Sequence, residues 1–414
     1  MKITAKNIKK LLALIYLVFT YLGDVEAYKE VAPKTMAATL LLLIAVYVFE
    51  VGFKFKIKPN LYEVWMLVFA GFCMMSSRWA YFSNDAVAMS KNIIEMAVAT
   101  VIVSVCTKDT FKMDDYLDII MACGYILVTS LIFFYGISTI GSLLTGNVRL
   151  NNDYMNANTI GMCAAYSVLV NAFYLKMRIF KWWTIFLLPA VAIIFVSESK
   201  KVLIILFLGA ILLYFTGNRK KEERIKLYKL LAVMAGVFLL FMAIIKLPMF
   251  QFIYVRILSF MDVIINEGTG DWSTQLRIQM IKTGLSYFRQ HPFVGIGIDN
   301  VGRFVAQGIK YTTKASVYTH NNYVELLAGL GIIGSLLYYS MYFYILVNLL
   351  KNWRKGDNDI TMMLLFTICR LVLDFAAVSY SVKFTYFMGM VSYTIVLRLK
   401  TQKMESEKLT YIIE

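Results

Sequence analysis

An all-helical protein that crosses a membrane about twelve times is the fold class this sequence predicts. Three observations carry that expectation. Of the 414 residues 59% are hydrophobic and only 16% charged, with a mean hydropathy of +0.66, against roughly 25% charged in soluble domains. Apolar runs about as long as a spanning helix, roughly 20 residues, follow one another with little between them. Lys and Arg gather in every second connection, the asymmetry of chains that keep their positive loops in the cytoplasm. These features exclude a soluble enzyme, and the loop asymmetry accounts for much of the net charge of +16 without a nucleic-acid partner.

The first run, 11–22, follows Lys2, Lys6, Lys9 and Lys10. It has a signal peptide's charge order but no cleavage site of small residues, so it reads as an uncleaved span. Eight more runs come at 35–53, 61–82, 92–106, 116–137, 157–175, 182–196, 202–216 and 227–246, then three at 323–350, 360–381 and 383–399. An even number of spans puts both termini on one side. Placing that side in the cytoplasm collects Lys54, Lys56 and Lys58, then Lys108 and Lys112, then Lys176, Arg178 and Lys181, then Arg219, Lys220 and Lys221, and finally Lys351, Arg354 and Lys355. The expected organisation is transmembrane helices over 1–246, an extracytoplasmic loop over 247–320, further transmembrane helices over 321–399 and a cytoplasmic tail over 400–414. That makes a multi-pass protein of the cytoplasmic membrane. All five cysteines lie inside apolar runs with no metal-ligand spacing, so neither disulfides nor zinc is indicated, and no cofactor is expected.

The connection of about 70 residues between the ninth and tenth runs is where chemistry is expected, because long loops are usually functional or disordered and this one is rich in aromatics. Within it, 272–290 reads as an amphipathic helix, with Gln275, Gln279, Lys282, Ser286 and Arg289 on one stripe. Arg277 falls on the opposite, apolar face, where a guanidinium without an anion is costly. A phosphate is the partner that reading favours; a salt bridge or a snorkelling side chain is the structural alternative. His291-Pro292 ends the helix, and His291 is assigned a structural role. The loop closes on Thr319-His320-Asn321-Asn322-Tyr323-Val324-Glu325. Asn322 with Glu325 fits a helix cap, which places His320 beside the positive end of a helix dipole, where a neutral imidazole can act as a general base.

Gln275-Leu276-Arg277, His291-Pro292-Phe293-Val294-Gly295-Ile296-Gly297, His320-Asn321-Asn322-Tyr323-Val324-Glu325 and Gly329-Leu330-Gly331-Ile332-Ile333-Gly334, in that order, resemble the bacterial O-antigen ligase/polymerase superfamily. A weaker echo lies at 151–158 and at Ser197-Glu198-Ser199-Lys200-Lys201. The resemblance implies a GT-C-like membrane glycosyltransferase that moves a glycan from an undecaprenyl-diphosphate carrier to an acceptor, inverting the anomeric centre without a required metal. It implies Arg277 and a second cation on the diphosphate. Where the family tends to carry arginine, this chain offers Lys200 or Lys201, which keeps the charge but loses the bidentate fork. His320 takes the general-base role and Asn158 holds the glycan; for Trp79, Tyr81 and Trp272 an interfacial aromatic belt is the preferred reading and glycan contact the alternative. A flippase, chain-length regulators and membrane lipid are the expected partners.

Arg370 and Asp374 lie four apart inside the eleventh run, where pairing lowers the cost of inserting each charge. Structural pairing is the expected role of Arg370, with the diphosphate a second-rank one; Glu95 is a second-rank acid/base candidate, and Glu325, first a cap residue, is kept as a second-rank site residue. Asp357-Asn358-Asp359 reads as a helix cap rather than a metal-binding motif. The expected activity is polymerisation of lipid-linked oligosaccharide repeat units into a surface polysaccharide. A ligase using another acceptor is the alternative within the same chemistry, and a polysaccharide flippase or transporter the alternative from another class. The off-centre loop and the absence of visible half-to-half similarity speak against transport.

Overall fold

Local capping chemistry sets where the helices begin. A computed structural model describes residues 4–52, 58–146, 149–216, 227–246, 272–308, 316–353 and 357–413, and every regular element among them is helical. Thr4 caps α1 (Ala5–Leu22), its hydroxyl accepting from Asn7 N. α2 covers Val31–Val51, and Asn60 and Glu63 form a reciprocal capping box on α3 (Leu61–Ser76). α4 (Ser83–Thr107), α5 (Met113–Tyr135), α6 (Ile137–Gly146) and α7 (Ala157–Lys176) follow. A 3-10 turn over Trp182–Phe186 leads into α8 (Leu187–Ser197), then come α9 (Lys200–Tyr214) and α10 (Leu227–Ile245). Pro189 falls in the first turn of α8, where no intrahelical N–H is required, so it interrupts nothing.

Five helices, Val31–Val51, Ser83–Thr107, Met113–Tyr135, Ala157–Lys176 and Asn322–Trp353, are long and apolar enough by length and composition to cross a membrane. Their outward surface is apolar as well: Phe49, Phe133, Ile137 and Phe343 are all exposed, as suits a bundle whose surroundings are hydrocarbon rather than water.

The bundle has two chemically distinct ends. At one, cations of the connections meet acids: Lys6 with Asp115 at 2.6 Å, Lys181 with Asp118 at 3.1 Å, and fully buried Lys9, which donates to Glu50, the Cys106 carbonyl and Thr110. Asp357 caps α14 (Asn358–Leu373) by accepting from Asp359 N and Ile360 N. Asp357 and Asp359 both pair with Arg398, so the Asp-x-Asp run is structural. At the other end, α1 and α14 arrive with their C-termini while α7, α9, α13 (Asn322–Trp353) and α15 (Lys383–Ile413) depart from their N-termini.

Two of the expected continuous spans are broken. The run 360–381 stops as a helix at Leu373, and residues 374–382 are irregular until α15 begins. The cause is side-chain competition for the backbone: Asn322 Oδ1 accepts from Ser379 N (2.8 Å) and Tyr380 N (3.1 Å), holding the segment open. Irregular backbone inside a membrane bundle is tolerated where protein satisfies it or where it lines a cavity. Asn322 is thus no helix cap. Asn321 fills that place, accepting from Val324 N at 3.1 Å, while Glu325 accepts from Thr319 N and the Thr319 hydroxyl.

The second break is at Gly331 in α13, with φ 64° and ψ −167°. The amides freed there donate outward, Ile332 N to the Pro292 carbonyl (2.8 Å) and Ile333 N to that of Phe293 (3.1 Å). In return Ile296 N and Gly297 N donate to the carbonyls of Ala328 and Gly329. The loop 291–300 therefore docks backbone to backbone into a gap in the helix. A Cβ on Gly295 would lie 2.4 Å from Gly329, and one on Gly331 2.3 Å from Phe293, which explains the paired glycine motifs physically. The other side of the loop is fastened to the α3–α4 turn by Ser76, Trp79, Tyr81 and Asn300. Before it lies α11 (Trp272–Gln290), which ends before Pro292 as the sequence predicts, and after it α12 (Val301–Gly308). α11 buries Met280 and sets Gly284 against Val324 of α13, leaving Gln279, Lys282 and Arg289 exposed.

Candidate functional site

Helix N-termini concentrate partial positive charge, and four of them surround one cavity of about 460 Å³. The start of α7 gives Asn156, Asn158 and Thr159, the start of α9 gives Lys201, and the start of α15 gives Phe384 and Thr385; His320 precedes the start of α13. Arg277 enters from α11, Asp299 and Tyr318 from the docked loop, and Arg370 from the end of α14. The broken segment closes one wall with Ala377, Val378, Ser379 and Tyr380. Tyr21, Met162, Tyr166, Phe366 and Met388 add an apolar lining suited to a chain of hydrocarbon.

The cations in it have distinct surroundings. Arg370 is held: it pairs with Asp374 at 2.6 Å, donates to Ser379 Oγ, and reaches Tyr338 OH at 3.3 Å, while Tyr339 OH and Ser379 Oγ donate to Asp374. The pairing expected of residues four apart is present, yet Arg370 still faces the cavity. Lys201, just ahead of the apolar stretch that begins at Val202, is only partly exposed; burial, together with the neighbouring Arg277 charge, lowers its ammonium to about 8. Two cations that repel each other across a partly dry cavity are an arrangement that an anion stabilises.

His320 sits in the left-handed region at φ 57°, with its ring 4.3 Å from that of Tyr318. The Thr319–Glu325 hydrogen bonds, both to a buried carboxylate, fix the turn that carries it. Asp299 is likewise left-handed at φ 60°, and burial, reinforced by Asp85 and opposed by Arg303, pushes its carboxyl up to about 6.

Of the residues singled out from sequence, Lys201, Arg277, His320, Asn158 and Arg370 share this cavity. Lys200 does not line it, which separates the two lysines: the α9 helix phase turns 201 inward. Glu95 is exposed on α4 away from the cavity, and Glu325 is buried behind Thr319. Trp79 and Tyr81 do not reach the cavity; their polar atoms bond Val294 O and His291 Nε2, so they fasten the loop. The Trp272 side chain lies outside the described residues. Asp299 and Asn156 were not anticipated. The Asp299-Asn300 dipeptide after Gly-Ile-Gly carries a turn signal, which marks conformation but not chemistry.

Residues 185–339 match the family model described as O-antigen ligase. The matched stretch carries Lys201, Arg277, Asp299 and His320, and supports the O-antigen ligase/polymerase superfamily that the sequence motifs resemble. No curated protein matches the chain.

Proposed function

We propose that this chain, through its O-antigen ligase domain, joins undecaprenyl-diphosphate-linked oligosaccharide units into a surface polysaccharide on the outer face of the cytoplasmic membrane. The observation that carries the reading is the meeting of Lys201, Arg277 and His320 in one cavity with a partly apolar wall. In this reading about twelve spans of GT-C-like arrangement put both termini in the cytoplasm, and the four helix N-termini then face outward.

The chemistry follows from the charges. The acceptor hydroxyl attacks the anomeric carbon from the face opposite the diphosphate; the new C–O bond forms as the bond to the phosphate oxygen breaks, inverting the centre. Negative charge develops on the leaving diphosphate, where Arg277 and Lys201 stabilise it, with Arg370 behind them. His320 takes the hydroxyl proton. Arg277 forks two N–H groups toward phosphate oxygens and Lys201 contributes a point charge. The reaction so written needs no metal, and Asn158 at the α7 N-terminus lies within reach of glycan. A flippase that supplies the substrate and regulators of chain length are the partners this activity requires.

The family description favours a second reading, transfer of finished glycan to a different acceptor. Purified protein in vesicles, fed lipid-linked oligosaccharide on the cavity side, separates the cases. Polymerisation gives a ladder of products from one substrate; ligation gives product only when a second acceptor is added. Movement of substrate across the bilayer without bond formation would refute both. Arg277→Ala and His320→Ala are expected to reduce bond formation at least 100-fold at unchanged insertion.

A further inference from the structure

The cavity holds a carboxylate that the mechanism above leaves unused. We propose that Asp299 forms the acceptor subsite, its carboxylate accepting hydrogen bonds from sugar hydroxyls of the incoming glycan and orienting the attacking one toward the anomeric carbon. This rests on the glycosyl-transfer reading and adds to it a residue that reads the acceptor.

Three observations support the assignment. Asp299 is the one carboxylate among the described residues that line the cavity. Other acids near cations here are engaged, Asp374 by Arg370 and Asp85 by Arg303. The Asp299 carboxyl makes no hydrogen bond or ion pair with any described residue, although Lys201, Arg277 and Arg370 share its cavity. A half-buried carboxylate that no described residue engages, facing a cavity, is available to accept from donors on a bound molecule. A diphosphate offers none and is repelled, whereas adjacent sugar hydroxyls offer two.

The backbone is built to present it. Asp299 is left-handed, and such conformations persist where the surroundings over-determine them. On one side Gly297 N donates to Gly329 O and Ile298 N to Ser76 Oγ; on the other, the Asn300 side chain bonds both Phe82 N and Phe82 O. Of the four left-handed non-glycine residues among those described, two, Asp299 and His320, line this cavity. The charges also sort spatially. Asp299 feels Asp85 of α4 and Arg303 of α12, and Glu325 of α13 and Tyr380 of the 374–382 segment feel Asp299, whereas the charge that Lys201 feels is that of Arg277. Asp299 thus borders α4 and α12, while Lys201 and Arg277 neighbour each other.

The test uses the full chain in vesicles with two lipid-linked substrates: a donor whose own acceptor hydroxyl is blocked, and a separately labelled acceptor. Asn tolerates the left-handed region and Gly adopts it freely, so Asp299→Asn and Asp299→Gly remove the charge or the side chain without straining the turn. Both are expected to raise the acceptor KM at least tenfold and leave the donor KM within twofold, at unchanged melting temperature in detergent. Acceptors lacking one hydroxyl give an independent reading: one such analogue should cost the wild type about tenfold in acceptor KM and cost Asp299→Asn nothing more. Equal rises in both KM values, unchanged acceptor KM, or additive losses with every deoxy analogue would overturn the assignment. If the wild type itself forms no glycosidic bond, the function reading fails, and the subsite with it; an active wild type beside an indifferent Asp299→Asn removes the subsite alone.

Discussion

Gly331→Ala is the perturbation whose consequence the structure sets most tightly. Gly331 lies at φ 64° and ψ −167°, and an added Cβ would meet the Phe293 carbonyl carbon and oxygen at 2.3 Å and Val294 N at 2.5 Å. All three contacts are backbone, so no side chain can rotate away. Forcing alanine into this region costs about 1–3 kcal/mol. Moving the loop aside to relieve the clash also sacrifices the Ile332–Pro292 and Ile333–Phe293 hydrogen bonds, worth about 1 kcal/mol each. The undocking equilibrium should therefore shift by about 4 kcal/mol, which at 1.4 kcal/mol per decade is close to three orders of magnitude. Hydrogen exchange at the amides of Ile296, Gly297, Ile332 and Ile333 reports it, and those amides should lose about 1000-fold in protection. Gly71→Ala, in α3 where an added Cβ meets nothing within 4 Å, is the control and should be neutral or stabilise by up to about 1 kcal/mol. Protection in Gly331→Ala within tenfold of wild type would refute the docking account, since the loop would then hold by something other than these bonds.

Two further predictions concern the walls of the cavity. With its ammonium lowered to about 8, Lys201 is charged below that pH and neutral above it, so kcat/KM for the lipid-linked donor should fall as pH rises through about 8. Bound diphosphate favours the charged form, so kcat should fall only at higher pH, and Lys201→Arg should abolish the alkaline limb in kcat/KM. Asn322→Ala strands the buried amides of Ser379 and Tyr380 at about 1–3 kcal/mol each, so melting in detergent should drop markedly; Asn322→Asp keeps the acceptor oxygen but replaces the amide that donates to Asp374 and Tyr339 with a second buried carboxylate, and should not rescue it.

Hydropathy and period made much of this molecule legible, for identifiable reasons. The stripe in 272–290 could be read as a helix because both its faces are populated: Met280 packs inward and Lys282 is exposed. Asp357 could be read as a cap and Arg370–Asp374 as a pair because both are local, within one turn. What escaped is long-range. The breaks at Gly331 and after Leu373 leave hydropathy unchanged, and their backbone groups are satisfied by partners about 40 and nearly 60 residues away. Asn322 reads as a cap until its partners across the 374–382 segment are seen. Choosing Lys201 over Lys200 needed the helix phase relative to Arg277, and Asp299 needed the fold to show that a turn residue meets the cations' cavity.

In the proposed function Lys201 and Arg277 together hold a lipid-linked diphosphate. Binding of undecaprenyl diphosphate to the purified protein measures it without requiring turnover. Charge-assisted hydrogen bonds contribute about 1.5–3 kcal/mol each, so Lys201→Ala with Arg277→Ala should weaken binding by roughly 100-fold or more, while exposed Glu95→Gln leaves it unchanged. Undiminished affinity in the double variant would contradict the account.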